Sequence, residues 1–309
     1  MPHSNTGMAV NQHVSQGRKR RLGYFRRLSL TGLIFILPAL LHQVFFSIYP
    51  ILRTIGLSFT SYDFSSAPVF TGLANYIRLF RDTHFINSVK VTVSYSIGVS
   101  LFLTVVSLAV AMLFDRKFPL RDFFRVIYFV PVVIPWVVTA LVWNLIYNPT
   151  YGLYHVISDP LGYTKILWIQ DTDLVLYALI IIGVWKGFGY YMLIYLAGLQ
   201  GIPGVYYEAA QIDGANRRKV FRYITLPLLR PSILLVLVNT LIDSFQVFTP
   251  VWLMTGGGPA EASRMLTVYT YENAFVFLKM GYATAVATIM LVVLVAITGA
   301  QRYFFKPLT

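Results

Sequence analysis

Residues 207–227 read YEAAQIDGANRRKVFRYITLP, a polar island set between two long apolar runs. Glu208, Ala209 and Ala210 stand four to six residues ahead of Gly214, and Ile224 and the pair Leu226-Pro227 follow after a fixed gap. Behind Pro203 and Gly204, residues 205–213 read as a short helix with Glu208 in its first turn, where the helix dipole favours a carboxylate. Asp213-Gly214 supplies a turn, because glycine reaches positive φ without steric cost. A second short helix over about 217–223 leads back to the next apolar run, with Pro227 at its edge. Ala209 and Ala210 carry almost no side chain, so a partner could approach the backbone, and Glu208 offers one defined charge. A loop that merely connected two spans would not need ordered short helices, paired alanines and a glycine turn.

The chain around this island is apolar: 57% of its 309 residues are hydrophobic, 16% are aromatic and only 12% are charged. Soluble globules carry about a quarter charged residues, so the composition excludes one and specifies a polytopic membrane protein. Apolar runs lie at about 30–52, 86–114, 123–147, 174–199, 228–254 and 275–300. Each is long enough to cross about 30 Å of hydrocarbon as a helix. The expected fold is therefore all-α, a helical membrane protein with about six transmembrane helices. The chain has no cysteine, which excludes disulfides, thiolate metal sites and cysteine nucleophiles.

The net charge of +13 is informative through its distribution. If the N-terminus is cytoplasmic, that side holds Arg18, Lys19, Arg20, Arg21, Arg26, Arg27, Arg116, Lys117, Arg121 and Arg125. It also holds Arg217, Arg218, Lys219, Arg222, Arg230, Arg302 and Lys306. The outer loops hold only Arg78, Arg81, Lys165 and Arg264, while Arg53, Lys90, Lys186 and Lys279 fall in or at the edge of spans. This asymmetry follows the positive-inside rule, places both termini in the cytoplasm and makes the basic surplus a topology signal, with no nucleic-acid partner. The expected division is a cytoplasmic basic tail over 1–28 and one membrane domain over 29–309 that includes the cytoplasmic loop 200–227. The first 17 residues are polar and aperiodic and read as disordered. The basic run with the first span reads as a retained signal anchor, because the apolar stretch is long and lacks a small-residue cleavage site. In the outer loops, Tyr62, Phe64, Phe70, Tyr147, Tyr151, Tyr154 and Trp168 read as interfacial anchors, or else as a surface for an external partner.

Ionisable groups inside spans are costly and need a reason. Lys186 and Asp243 fall at similar depth in spans of opposite direction and are expected to pair or share a polar cavity; the alternative is that Lys186 snorkels and Asp243 is bonded by neighbouring backbone or amides. Asn239, Asp243, Gln246 and Pro250 follow the i, i+4, i+7, i+11 pattern of one helix face. Flanked by Trp143, Tyr190, Tyr191, Phe245 and Phe248, that stripe would suit sugar hydroxyls and ring faces, while hydrogen bonding between helices is the competing account. Gly183, Gly187, Gly189, Gly281, Ala285 and Ala287 permit close helix contact within the chain or against a second subunit. Pro131 and Pro135 are expected to bend the third span. The glycine-rich run 255–259, TGGGP, lacks the lysine of a nucleotide loop and reads as a flexible hinge or external contact. No catalytic constellation and no metal-ligand cluster is expected.

The order EAA, three residues, Gly, nine residues, Ile, one residue, Leu-Pro resembles the cytoplasmic motif of permease subunits of binding-protein-dependent ABC importers. IPGVYYEAAQIDGANRRKVFRYITLPLLRP over 202–231 and FQVFTPVWLMTGGGP over 245–259 are similar to the carbohydrate branch of that family. The resemblance implies the type I importer permease fold. It also implies that Glu208, Ala209, Ala210, Asp213 and Gly214 belong to a coupling helix that inserts into a cleft of a separate ATPase. Glu208 would make polar contacts there and Gly214 would set the turn. The chain would be a transporter subunit and not an enzyme, with ATP and Mg bound by the partner. Its partners would be a second related permease, two ATPase subunits and an extracytoplasmic solute-binding protein, in a prokaryotic plasma (inner) membrane. The cargo would be a sugar or oligosaccharide, with glycerol phosphate or another polyol as the alternative. From a different class, an ion-coupled secondary transporter would carry internal repeats with paired broken helices, and no such repeat is visible.

Overall fold

The computed structural model describes residue 32 and residues 34–115, 119–153, 156 and 166–304, with side chains to residue 300. The expectations for the tail 1–28 and its basic run, for Arg116, Lys117, Tyr154, Lys165 and Lys306, and for the Arg302 side chain lie outside these. The chain divides into two units, Met1–Gly56 and Leu57–Thr309.

The first unit is described by the apolar helix α1 (Ile34–Ser58), whose last two residues begin the second unit. It contains a π turn over Val44–Ile48. Phe35 and Phe46 are 80% and 74% exposed, and residues on every side of the helix are open. A helix apolar all round belongs in lipid or against other apolar helices.

The second unit opens with a two-residue hairpin, β1 (Thr60–Ser61) antiparallel to β2 (Val69–Phe70), in register Thr60↔Phe70. A short helix α2 (Ala74–Leu79) precedes the 33-residue α3 (Thr83–Asp115). Then come α4 (Arg121–Val133), α5 (Trp136–Ile146) and α6 (Val175–Gln200). Outside the long helices lie α7 (Val205–Ile212) and α8 (Arg217–Leu228), the latter with a π turn at Phe221–Thr225. The chain ends with α9 (Arg230–Phe245), α10 (Thr249–Met254), α11 (Leu266–Tyr271, running into a π turn at Glu272–Val276) and α12 (Met280–Phe304).

Among the described residues, four helices, α1, α3, α6 and α12, are long and apolar enough to cross a membrane unaided. Six spans result when the pairs α4–α5 and α8–α9 each count as one, bent by 98° and 65°. The third span is therefore a sharp elbow and not a kinked rod. Pro131 is accommodated inside α4, but Pro135 ends it: Ile134 is extended at ψ 128°, as a residue before proline prefers, and Pro135 follows at ψ 143°. The second short helix runs on through Pro227 to Leu228 and does not stop near residue 223.

The larger core joins α3, α5, α6, α9 and α10 and fully buries Tyr195, Met192, Ile182 and Val236. Small residues make this packing possible. Ser88, Thr92, Ser96, Ser100 and Ser107 recur at helical spacing on α3 and are all buried; Ser107 donates to the Phe188 carbonyl of α6 at 3.0 Å, and Thr92 accepts the Leu266 N–H at 2.9 Å. A Cβ on Gly183 would stand 2.9 Å from the Tyr95 hydroxyl, one on Gly187 3.2 Å from Leu103, and one on Gly281 would collide with the Thr60 carbonyl. These glycines serve contacts within the chain. Of the loop aromatics, Tyr147 and Trp168 pack inward: Tyr147 is 5% exposed, donates to the Ala178 carbonyl at 3.1 Å and stacks on Trp168, whereas Phe64, Phe70 and Tyr151 are exposed.

A smaller core under α2, α11 and α12 surrounds Asp82. The hydroxyls of Tyr269 and Tyr282 donate to Asp82 Oδ2 at 2.7 and 2.6 Å, and the His84 N–H donates to Oδ1 at 2.9 Å. Burial raises the Asp82 carboxyl, but these bonds outweigh it and hold the group below the ordinary carboxylate range. The TGGGP run beside it is no loose hinge. Ser263 Oγ lies 2.7 Å from Thr255 Oγ1 and donates to the Gly258 carbonyl at 2.5 Å, while Arg264 bridges Glu261 at 2.7 Å and Glu272 at 3.2 Å.

Candidate functional site

Two places carry the residues singled out by sequence. The first is the segment from α7 to α8. Ala215 N–H donates to the Ala210 carbonyl at 2.9 Å and Gly214 N–H to the Gln211 carbonyl at 3.1 Å, with Gly214 at φ +68°. This pair of bonds is a Schellman closure, which asks for glycine at Gly214 and settles the last carbonyls of α7. Asn216 then caps α8, its side chain accepting from the Lys219 N–H at 2.9 Å. The closure turns Ala210 inward, to 6% exposure, so the Ala210 methyl is not offered to a partner as the pattern suggested. Glu208, Ala209, Asp213 and Gly214 are exposed. So is Ile212, 87% open at the tip, which the sequence reading passed over. Tyr207 and Thr225 meet hydroxyl to hydroxyl at 3.4 Å and tie α7 to α8.

The second place is a cavity of about 430 Å³ between α3, α5, α6, α9 and α10. Of the candidate path residues, Tyr191, Asp243 and Gln246 line it, and Tyr191 donates to Asp243 Oδ2 at 2.8 Å. Asn239, Lys186, Tyr190 and Trp143 are not among its lining residues. Asn239 sits half-buried on α9, and Tyr190 turns its edge to Tyr191 at 5.2 Å. Trp143 packs against Trp185 and Tyr147. The stripe from Asn239 to Pro250 is not one helix face, because α9 ends at Phe245 and α10 starts only at Thr249. That break delivers Gln246, Phe248 and Thr249 to the cavity wall.

Lys186 and Asp243 do not pair. Lys186 Nζ donates to the carbonyls of Pro131 at 3.0 Å, Val132 at 3.3 Å and Ile134 at 2.5 Å, and stands 5.0 Å from the centre of the Trp136 ring. An ammonium has three donors, and the elbow between α4 and α5 takes all three. The carbonyls freed by Pro135 and the open end of α4 provide the acceptors, and a cation there complements the helix dipole. Trp136, held beside that ammonium, lines the cavity together with Tyr95 and Thr240. None of these three was singled out from sequence: Tyr95 and Trp136 join the cavity only through elements far away in sequence, while Thr240, one turn before Asp243 on α9, was legible from that spacing.

The comparisons with known proteins agree with this architecture. Residues 103–308 match the family model described as binding-protein-dependent transport system inner membrane component. The trehalose/maltose transport system permease protein MalF of Thermococcus litoralis is 36% identical over 265 residues, 84% of this chain and 89% of that protein. The sn-glycerol-3-phosphate transport system permease protein UgpA of Agrobacterium fabrum is 32% identical over 277 residues, 88% of this chain and 94% of that one. Among solved structures, a chain of a bacterial alginate ABC transporter in complex with an alginate pentasaccharide-bound periplasmic protein superposes with a TM-score of 0.80. At 22% identity, over 92% of this chain and 96% of that one, it supports the fold alone. The match extends through both bent spans and across the polar island, and excludes the ion-coupled class. This chain is thus a member of the binding-protein-dependent transport family, a membrane permease subunit of an ABC importer.

Proposed function

We propose that the chain forms part of the translocation path for a sugar or oligosaccharide delivered by an extracytoplasmic binding protein, and that α7 and the Gly214 turn couple it to a separate ATPase. A related second permease and two ATPase subunits complete the complex in a prokaryotic plasma membrane, with ATP and Mg bound by the ATPase and both termini inside. The observation that carries this reading is the connection between loop and cavity. The loop from α7 to α8 joins α6 to α9, and the same two helices meet again at the Tyr191–Asp243 bond in the cavity wall. Between these points Gly198 of α6 lies against Leu229 and Ser232 at the start of α9, so closely that a Cβ on Gly198 would stand 2.9 Å from Leu229. The loop lies on one side of this glycine contact and the cavity on the other. A partner that displaces α7 therefore changes the angle between α6 and α9 and the shape of the cavity. Rigid, packed elements transmit such displacements because cores do not deform continuously.

Glu208→Lys reverses the charge on the exposed face of α7 without touching the Gly214 closure. The purified complex is expected to contain the variant permease in the membrane fraction at normal levels, with substrate-stimulated ATP hydrolysis lost. Normal stimulated hydrolysis by that variant would refute the coupling role. Cavity polarity favours a carbohydrate: Asp243, Gln246 and Thr249 share the lining with the Trp136 and Phe248 rings, a combination suited to hydroxyl-rich rings.

A further inference from the structure

We infer that Asp243 makes this path selective for neutral, hydroxyl-rich cargo and excludes anionic sugars and polyol phosphates of similar size. The inference rests on the reading of the cavity as the translocation path and adds to it the charge class of the cargo. Asp243 is the one ionisable carboxylate among the described lining residues, and no Lys, Arg or His lines the cavity with it. Lys186, whose ammonium stands 5.0 Å from the centre of the lining Trp136 ring, spends its three donors on the carbonyls of Pro131, Val132 and Ile134 and is 7% exposed. It therefore offers no donor to a phosphate or carboxylate.

The neutral groups point the same way. Tyr191 donates to Asp243 at 2.8 Å, Thr240 Oγ1 to the Leu237 carbonyl at 2.9 Å, and Ser244 Oγ to the Thr240 carbonyl at 2.6 Å. With their protons committed, these three hydroxyls offer no donor to cargo, and the other donors of the wall, the Gln246 amide, the Thr249 and Tyr95 hydroxyls and the Trp136 N–H, are neutral. Such groups bond sugar hydroxyls without adding charge, and Asp243 accepts from a hydroxyl that donates. An anionic group meets the like charge of Asp243 with no cation in the lining to offset it. At separations near 4–6 Å and the screening of a half-wet site, like charge alone discriminates on the order of 10- to 100-fold.

The absence of cysteine from the chain allows a direct test. Gln246→Cys, and separately Thr249→Cys, place one thiol in the cavity wall of the assembled complex, with or without Asp243→Asn. Modification of this chain by a cationic trimethylammonium and an anionic sulfonate methanethiosulfonate is followed by mass, and each rate is divided by that of a free thiol. Any shift in the reactivity of the introduced thiol itself cancels in this ratio. The cation is expected to be favoured about 10- to 100-fold, Asp243→Asn should bring the ratio near that of the free thiol, and labelling should block uptake. A ratio at or below the free-thiol value, or one unchanged by Asp243→Asn, overturns the charge assignment even where labelling blocks uptake. Labelling at both positions that leaves uptake intact overturns the path reading itself, and the selectivity with it.

Discussion

Gly214→Ala isolates the turn between α7 and α8 as a cause of coupling. Gly214 sits at φ +68°, and a Cβ built there meets no heavy atom within 4 Å. Added bulk therefore costs nothing inside this chain, and the whole penalty is conformational. Holding an ordinary L-residue in the left-handed region costs about 1–2 kcal/mol. The Ala210–Ala215 and Gln211–Gly214 bonds close only with Gly214 in that region, so the penalty falls on the closed form of the loop, the form proposed to meet the ATPase. At about 1.4 kcal/mol per tenfold, Gly214→Ala should weaken association of the ATPase subunit by roughly 5- to 30-fold. Asn tolerates the left-handed region, so Gly214→Asn should lose less than about threefold. Titration of the ATPase onto permease complex in nanodiscs reads the apparent Kd, and substrate-stimulated hydrolysis reads the coupling. Equal losses for Ala and Asn would assign the position to direct contact with the partner, and an unimpaired Gly214→Ala would remove the turn from the mechanism altogether.

Two further outcomes follow from side-chain geometry. Lys186→Met leaves the elbow carbonyls without their donor and should lower the stability of the solubilised protein by about 2–4 kcal/mol; because Lys186 and Asp243 have separate partners, combining it with Asp243→Asn should give the sum of the single effects within about 0.5 kcal/mol, and a coupling above 1 kcal/mol in thermal melts would show that the two communicate. Asp82→Asn should cost about 1–2 kcal/mol at neutral pH by weakening two charge-assisted bonds from Tyr269 and Tyr282. Because the folded carboxyl is depressed, its contribution is present above about pH 4 and is lost as pH falls through the lower folded value. The gap between wild type and variant should thus stay flat from about pH 8 to 5 and close below it, and a gap that changed between pH 6 and 8 would transfer the effect to the His84–Glu261 pair.

Features that depend on near neighbours were readable in the chain. The six apolar runs correspond to four unbroken helices and two bent pairs among the described residues, and the first short helix, the turn and the start of the second helix lie as read, since Gly214 and Asn216 act on carbonyls and N–H groups within five residues. Ala210 shows the limit: its identity was noticed, but only the closed turn reveals that its methyl faces inward. Prolines marked the third span as bent, yet nothing local distinguishes a mild kink from the 98° elbow that Lys186 holds.

The sequence by itself determined that this is a membrane chain of six apolar runs with a polar helix, turn and helix of defined turn chemistry, because hydrophobic length and turn geometry are properties of contiguous residues. Tertiary structure alone decided which groups meet in the cavity. A buried ammonium or carboxylate takes whatever partner the adjacent helix presents, and adjacency between α3, α5, α6, α9 and α10 is set by small-residue packing across large sequence separations. Lys186 was thereby drawn to the broken end of α4, and Asp243 was left to Tyr191 and the open cavity.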